Sequence, residues 1–228
     1  MRQAWHIQPR LAIVTDTENP VIETYMRLKQ RYGADILIDV EIHRAEAGQA
    51  SAVIDALNNR DEVQGIILQL PISNPRQTEE LLESIRIDKD VDGLRQQTDF
   101  QAATPTAINW LLAGYGINLK GKKIAIVGRG RLVGAPLEKM WLKSGIDATV
   151  FDDLSQLIDY DVVVSATGVP GLITDQMVKT KAVVVDAGTS SEDGKIVGDV
   201  SDEVRLREDV LITPKKGGVG PLTVSALF

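Results

Sequence analysis

Apolar positions along this chain follow two alternating patterns. Short unbroken runs such as Leu11-Ala12-Ile13-Val14 have the length and branching of buried strands, and longer stretches repeat their apolar residues every three or four positions, as helices do. The pattern predicts a strand at Leu11–Val14, closed by the turn-like Asp16-Thr17-Glu18-Asn19-Pro20, and a helix from Val21 to Tyr32 ended by Gly33. A second strand is expected at Asp35–Val40, a helix at Ala50–Asn58, a third strand at Gly65–Leu70 stopped by Pro71, and a helix at Thr78–Ile85 with Thr78 as its N-cap. The alternation restarts after Asp99, with helices at Thr106–Tyr115 and Leu137–Ser144 and strands at Lys122–Val127, Ala148–Phe151, Val162–Ser165, Ala182–Asp186 and Leu211–Thr213. Strands alternating with helices predict parallel sheets covered on both faces. The expected fold class is therefore α/β, with two βα domains, residues 1–103 and 104–228, and a cleft between them, where a substrate usually meets a cofactor.

The strongest local motif sits in the second half. Ile124-Ala125-Ile126-Val127 runs into Gly128-Arg129-Gly130-Arg131-Leu132-Val133-Gly134-Ala135-Pro136. A strand, a glycine turn and a helix start suit a nucleotide pyrophosphate: glycines permit close backbone approach and a helix N-terminus presents N–H groups to an anion. Pro136 suits a first helical turn. The spacing is one residue longer than the common dinucleotide fingerprint, and an ordinary strand-to-helix turn is the competing reading.

Composition narrows the partners. The 228 residues carry a net charge of −7, which argues against nucleic-acid binding. No apolar run approaches the ~20 residues of a membrane span, and Met1-Arg2-Gln3-Ala4-Trp5-His6 lacks a signal-peptide core, so a cytoplasmic protein is expected. There is no cysteine, which removes disulfides and thiolate chemistry; the two histidines, His6 and His43, lie apart, and no metal site is expected.

Several polar residues stand where chemistry could occur. Gln69 lies at the C-terminal end of an expected strand, as a structural amide or a functional one. Tyr25 and Lys29 are four apart and share a helix face, either a solvated flank or a ring and an amine lining the cleft; a partly desolvated lysine can act as a base. Asp88-Lys89-Asp90-Val91-Asp92-Gly93 matches the start of a calcium loop, but the later positions do not fit, and Asp92 could instead grip paired N–H donors of a ligand. Gly217-Gly218-Val219-Gly220-Pro221-Leu222-Thr223 is a second glycine-rich turn, a loop needing positive φ or a surface for close approach to a flat ring.

Taken in order, Tyr25-x-x-x-Lys29, Gln69-Leu70-Pro71, Lys89-Asp90-Val91-Asp92-Gly93, Thr104-Pro105-Thr106, the Gly128–Pro136 loop and Gly217–Thr223 resemble the bifunctional methylenetetrahydrofolate dehydrogenase/cyclohydrolase family of FolD type. Gly168-x-Pro170-Gly171 and Gly194-Lys195-x-Val197-Gly198-Asp199-Val200 extend the resemblance. It implies Lys29 as the catalytic lysine, Gln69 as the amide positioning it, Tyr25 lining the folate site and Asp92 holding the pterin. It also implies cofactor contacts from Gly128, Arg129, Gly130, Arg131, Val133, Gly134, Thr104, Thr167 and Gly168, and substrate contacts from Gly217, Gly218, Val219, Gly220 and Pro221. The substrates would be one-carbon derivatives of tetrahydrofolate, and the assembly a homodimer.

The chain departs from the family in places. The first strand begins about ten residues in, so the family's leading helix is not expected, and neither is its closing helix at Ser225-Ala226-Leu227-Phe228. Gly130 replaces a loop serine, and Asp152-Asp153-Leu154-Ser155 replaces a His-Ser-x-Thr segment. Arg129 and Arg131 favour the 2′-phosphate of NADP. Asp152, 24 residues beyond Gly128, stands near the ~20-residue spacing at which a carboxylate takes the ribose hydroxyls of NAD. NADP is expected, with appreciable NAD use. Another two-domain nicotinamide dehydrogenase of shikimate type, or a catalytically silent folate- or nucleotide-binding protein, are the rival readings.

Overall fold

The computed structural model describes residues 8–151, 154–192 and 195–228. The chain forms two compact units, one running to Gln101 and taking in Leu227 and Phe228, the other running from Ala102 to Ala226.

The first unit is built from β1 (Arg10–Thr15), α1 (Pro20–Asp35), β2 (Asp39–Arg44), α2 (Ala50–Asn58), β3 (Gly65–Leu68) and α3 (Thr78–Ser84). Its three strands are parallel in the order β2-β1-β3. Leu11, Ile13 and Ile67 of the sheet pack with Ile22 and Met26 of α1. The order reverses between β1 and β3, and side chains following those two strands therefore flank a switch point, the place where open α/β sheets bind ligands.

Three local expectations are corrected here. Gly33 does not end α1, and Ile36-Leu37-Ile38 is not strand. The helix continues to Asp35, and Leu37 adopts a left-handed φ of 62°. The Ile38 N–H then donates to the Gly33 carbonyl at 2.8 Å and the Leu37 N–H to the Ala34 carbonyl at 3.3 Å. This is a Schellman closure, which uses as a cap the apolar residues that read as strand and moves β2 downstream to Asp39. A Cβ at Gly33 would fall 2.5 Å from the Val40 side chain, so glycine there admits β2 against the helix. Thr78 is not a cap either. Asn74 accepts from the Arg76 N–H at the start of a 3-10 turn, Pro75–Gln77, that feeds directly into α3.

The second unit contains α4 (Ala103–Gly114), β4 (Ile124–Val127), α5 (Gly134–Lys143), β5 (Thr149–Phe151), β6 (Val162–Ser165), β7 (Val183–Asp186), β8 (Ser190–Glu192), β9 (Lys195–Val197), α6 (Asp202–Arg205), β10 (Leu211–Ile212) and α7 (Val219–Leu227). Five strands form a parallel sheet in the order β10-β7-β6-β4-β5. Ile124, Ile126, Val162 and Val164 face one core layer with Leu137 and Trp141, and Ala125, Val127, Val163 and Val184 face the other with Leu157 and Ile173. Burial on both faces accounts for the unbroken apolar runs.

The antiparallel β8–β9 pair is an element that the periodicity did not reveal, since three-residue strands carry too few positions to alternate. The Gly217–Thr223 segment is also corrected. Only Gly217 and Gly218 form the turn, Gly217 at φ 81°, and α7 starts at Val219 and runs to Leu227. Pro221 occupies the first turn of that helix, where no N–H is needed. No described helix is long and apolar enough to cross a membrane.

Candidate active site

In the first unit, α1 carries Tyr25 and Lys29 one turn apart on its inner side. Tyr25 is half-buried and Lys29 is only 9% exposed, so the solvated-flank reading does not hold for the lysine. A buried ammonium needs partners. Lys29 Nζ donates to Gln69 Oε1 at 3.0 Å. Gln69 is fixed from both sides: its backbone N–H continues the β1 ladder to Val14 at 2.8 Å, and its side-chain amide N–H donates to the Leu70 carbonyl at 3.1 Å. The donor end of the amide is thus occupied, and its oxygen is left to accept from the lysine.

Asp92 belongs to the loop after the 3-10 turn Ile87–Lys89. The residues of this motif divide the work. Lys89, 5% exposed, donates to the Leu57, Asn58 and Arg60 carbonyls at 3.1, 3.0 and 2.8 Å and so closes the C-terminus of α2. Asp90, 1% exposed, accepts the Leu94 and Arg95 N–H groups at 3.4 and 3.2 Å and folds the loop back on itself. Val91 packs against β3 at Gly65, where a Cβ would lie 2.9 Å from it. Asp88 pairs with Arg86 on the surface. Two of the three carboxylates of the calcium-loop alternative, Asp88 and Asp90, thus take separate partners. Asp92 is left half-buried, close enough for its charge to act on Lys29.

Burial pushes the Lys29 ammonium down from its usual value, and the Asp92 charge opposes this. Burial pushes the Asp92 carboxyl up, and Lys29 opposes that. Desolvation dominates on both sides. A lysine whose pKa is lowered, hydrogen-bonded to a fixed amide oxygen and within the electrostatic reach of a carboxylate, is suited to accept and return a proton.

In the second unit the strand order reverses between β4 and β6. Gly128, at φ 92°, ends β4, and a Cβ there would lie 2.9 Å from the Ala166 carbonyl oxygen and from the Thr167 side chain beyond β6. Gly134 opens α5, and a Cβ there would fall 1.9 Å from the Gly128 carbonyl oxygen. These two glycines are therefore demanded by the packing of the loop itself. Gly130 is open, its nearest neighbour the Ala166 oxygen at 3.9 Å, and it is exposed. Arg129 is exposed and bound to Glu138, Arg131 is exposed, and Val133 is half-buried at the N-cap of α5. Thr167 and Gly168 form the turn after β6: the Val169 N–H donates to the Thr167 hydroxyl oxygen at 3.1 Å, and Gly168 has φ 72°. Thr104 lies in the first turn of α4 and receives the Thr223 hydroxyl of α7 at 3.4 Å. Gly218 and Val219 are buried, Gly220 is half-buried, and Gly217 and Pro221 are exposed. Asp152, His6 and Gly194 lie outside the described residues. A helix N-terminus behind a tight glycine loop, with an open glycine at its centre and a second glycine turn across the switch point, fits a dinucleotide.

Two family models cover almost the whole chain. The tetrahydrofolate dehydrogenase/cyclohydrolase catalytic domain matches residues 1–92, and the NAD(P)-binding domain of the same family matches residues 102–228. The chain belongs to the tetrahydrofolate dehydrogenase/cyclohydrolase family. It is 36% identical to the bifunctional protein FolD of Hydrogenobaculum sp. (strain Y04AAS1), over 97% of this chain and 87% of that protein. The bifunctional FolD of Campylobacter jejuni superposes with a TM-score of 0.88 at 33% identity, covering 99% of this chain and 87% of that one. The Trypanosoma brucei FolD, solved with NADP and an inhibitor, gives a TM-score of 0.89 at 28% identity, over 99% and 86% of the two chains. The family's two-domain α/β architecture, a catalytic domain followed by an NAD(P)-binding domain, is thus that of this chain.

Sequence reasoning did not single out Glu138 as the partner of Arg129, or Lys89 and Asp90 as the builders of the Asp92 loop. No local signal marked the loop: Lys89 and Asp90 are adjacent, so no periodicity turns both inward, and each is buried because backbone groups elsewhere in the chain bind it.

Proposed function

We propose that this chain oxidises 5,10-methylenetetrahydrofolate to the 5,10-methenyl form with NADP, and hydrolyses the methenyl form to 10-formyltetrahydrofolate. The observation that carries the reading is the Lys29–Gln69 hydrogen bond beside Asp92, within a chain of this family. Residues 1–103 bind folate and residues 104–228 bind the cofactor. Asp92 holds paired N–H donors of the pterin through charge-assisted bonds, and Tyr25 lies against the ring system. Orientation of the one-carbon bridge is the main demand of the oxidation, since the bridge becomes a cation as it loses hydride. In the hydrolysis, water adds to that cation, and Lys29, held by Gln69, removes the water's proton and returns one as the ring opens. NADP, when bound by the Gly128–Gly134 loop with Arg129, Arg131, Thr104, Thr167 and Gly168, supplies the hydride acceptor. Gly217, Gly218, Val219, Gly220 and Pro221 contribute contacts to the substrate. NAD serves as a weaker alternative, and the working form is a cytoplasmic homodimer.

The test is spectrophotometric. Purified protein given methylenetetrahydrofolate and NADP should generate the reduced-nicotinamide absorbance, and given methenyltetrahydrofolate alone should accelerate loss of the methenyl absorbance. Binding of folate and NADP with neither change identifies a silent binding protein and overturns the reading.

A further inference from the structure

The second unit holds a buried polar network that the chemistry above does not use. Asp186 ends β7, and Asp199 follows β9 by two residues. Their carboxylates cross. Asp186 accepts the Asp199 and Val200 N–H groups at 3.0 and 3.3 Å and pairs with the Arg205 guanidinium. Asp199 Oδ2 accepts the Ser165 hydroxyl and the Thr167 backbone N–H, each at 2.7 Å. Two glycines make room: a Cβ at Gly188 would fall 1.9 Å from Asp199 Oδ1, and one at Gly198 would fall 2.0 Å from Asp186 Oδ2. Arg205 also donates to the Thr213 carbonyl at 2.8 Å, beyond β10.

Asp199 is 1% exposed, and its Oδ1 has no hydrogen-bond partner among the described residues. Burying a carboxylate with one oxygen unsatisfied is unfavourable, and an apolar side chain would serve stability as well or better. What an apolar residue could not supply is an acceptor for the Thr167 N–H. That N–H opens the turn whose shape continues through the Thr167 hydroxyl and the left-handed Gly168. The same turn abuts the glycine loop at Gly128. Displacing Thr167 would therefore disturb both loops at the switch point.

We propose that Asp199 is a positioning residue for the nicotinamide cofactor: by accepting the Thr167 N–H it fixes the turn after β6 in its binding shape, and its loss weakens cofactor binding while sparing folate chemistry. This rests on the assignment of Thr167 and Gly168 to the cofactor.

The experiment measures NADP dissociation constants directly, beside hydrolysis of methenyltetrahydrofolate, which needs no nicotinamide. Asp199→Ala should weaken NADP binding by at least about tenfold, the scale of one lost charge-assisted hydrogen bond, and leave hydrolysis within about threefold. Asp199→Asn keeps an acceptor oxygen and should restore NADP binding to within about threefold of wild type. NADP binding unchanged in Asp199→Ala overturns the proposal. So does a parallel loss of binding and hydrolysis, the mark of general damage. Should Asp199→Ala not fold, Ser165→Ala removes the second donor that orients Oδ2; NADP binding weakened about threefold or more supports the proposal, and unchanged binding overturns it. Wild-type protein that binds NADP yet never reduces it would refute the dehydrogenase reading and leave this test intact.

Discussion

Arg129 and Glu138 form a two-point ion pair across the start of α5, with Nε to Oε2 at 3.0 Å and Nη2 to Oε1 at 3.3 Å. The arginine assigned to the 2′-phosphate of NADP is thus already held by a carboxylate, and a phosphate must compete for it. The Arg129 side chain is 66% exposed, so the pair is worth at most ~1 kcal/mol. Glu138→Gln should therefore raise the NADP/NAD ratio of kcat/KM by up to about fivefold. Arg129→Ala should lower it. Steady-state kinetics with both cofactors decide, and an unchanged ratio in Arg129→Ala removes that residue as the phosphate reader.

Lys29→Met should abolish hydrolysis of methenyltetrahydrofolate by ~10²–10⁴, the scale of general acid–base help, while NADP affinity stays at the wild-type value. Hydrolysis within about threefold of wild type, a difference near 0.7 kcal/mol, is too small for such a role and would refute it.

The same lysine fixes a pH dependence. Its neutral form is the base, and burial lowers its pKa from the ordinary 10.5, so the enzymic hydrolysis rate should rise with pH to a plateau whose midpoint lies below 10.5. The Asp92 charge pushes the Lys29 pKa up. Asp92→Asn removes that push, so the midpoint should move to lower pH. The substitution should also weaken folate binding by roughly 1.5–3 kcal/mol, as charge-assisted bonds to the pterin are lost. A pH–rate profile on the variant checks the direction; a midpoint displaced upward would show that Asp92 does not act on Lys29.

Sequence pattern carried the α/β class and the parallel sheets, because strands buried on both faces leave unbroken apolar runs such as Val162-Val163-Val164. Strand-end position singled out Gln69 and helical spacing Lys29, and the family motifs then assigned roles to both and to Asp92. Pattern failed where apolar residues serve something other than a core face. Ile36 and Leu37 close α1, and the brief β8 and β9 strands leave no period to detect. Tertiary partners were invisible for the same reason: nothing local at Asp199 announces that its oxygen will meet the Thr167 N–H, 32 positions away in the chain.

Gly134 separates packing from ligand contact. A Cβ there would meet the Gly128 carbonyl oxygen at 1.9 Å, a backbone atom that cannot swing aside. Gly134→Ala must push α5 away from the end of β4, at a cost of about 1–3 kcal/mol, which in a chain of this length lowers Tm by several degrees. The displaced helix N-terminus should also bind NADP more weakly. Gly114, the last residue of α4, is the control: a Cβ there meets nothing within 4 Å, and its φ is not positive. Gly114→Ala should be neutral or slightly stabilising, since alanine restricts the unfolded chain and favours the helix. Calorimetry on both variants, with NADP titrations, reads the outcome. If Gly134→Ala matched Gly114→Ala in Tm, the close approach of α5 to β4 would not exist in solution, and the tight loop assigned to the cofactor would have a different shape.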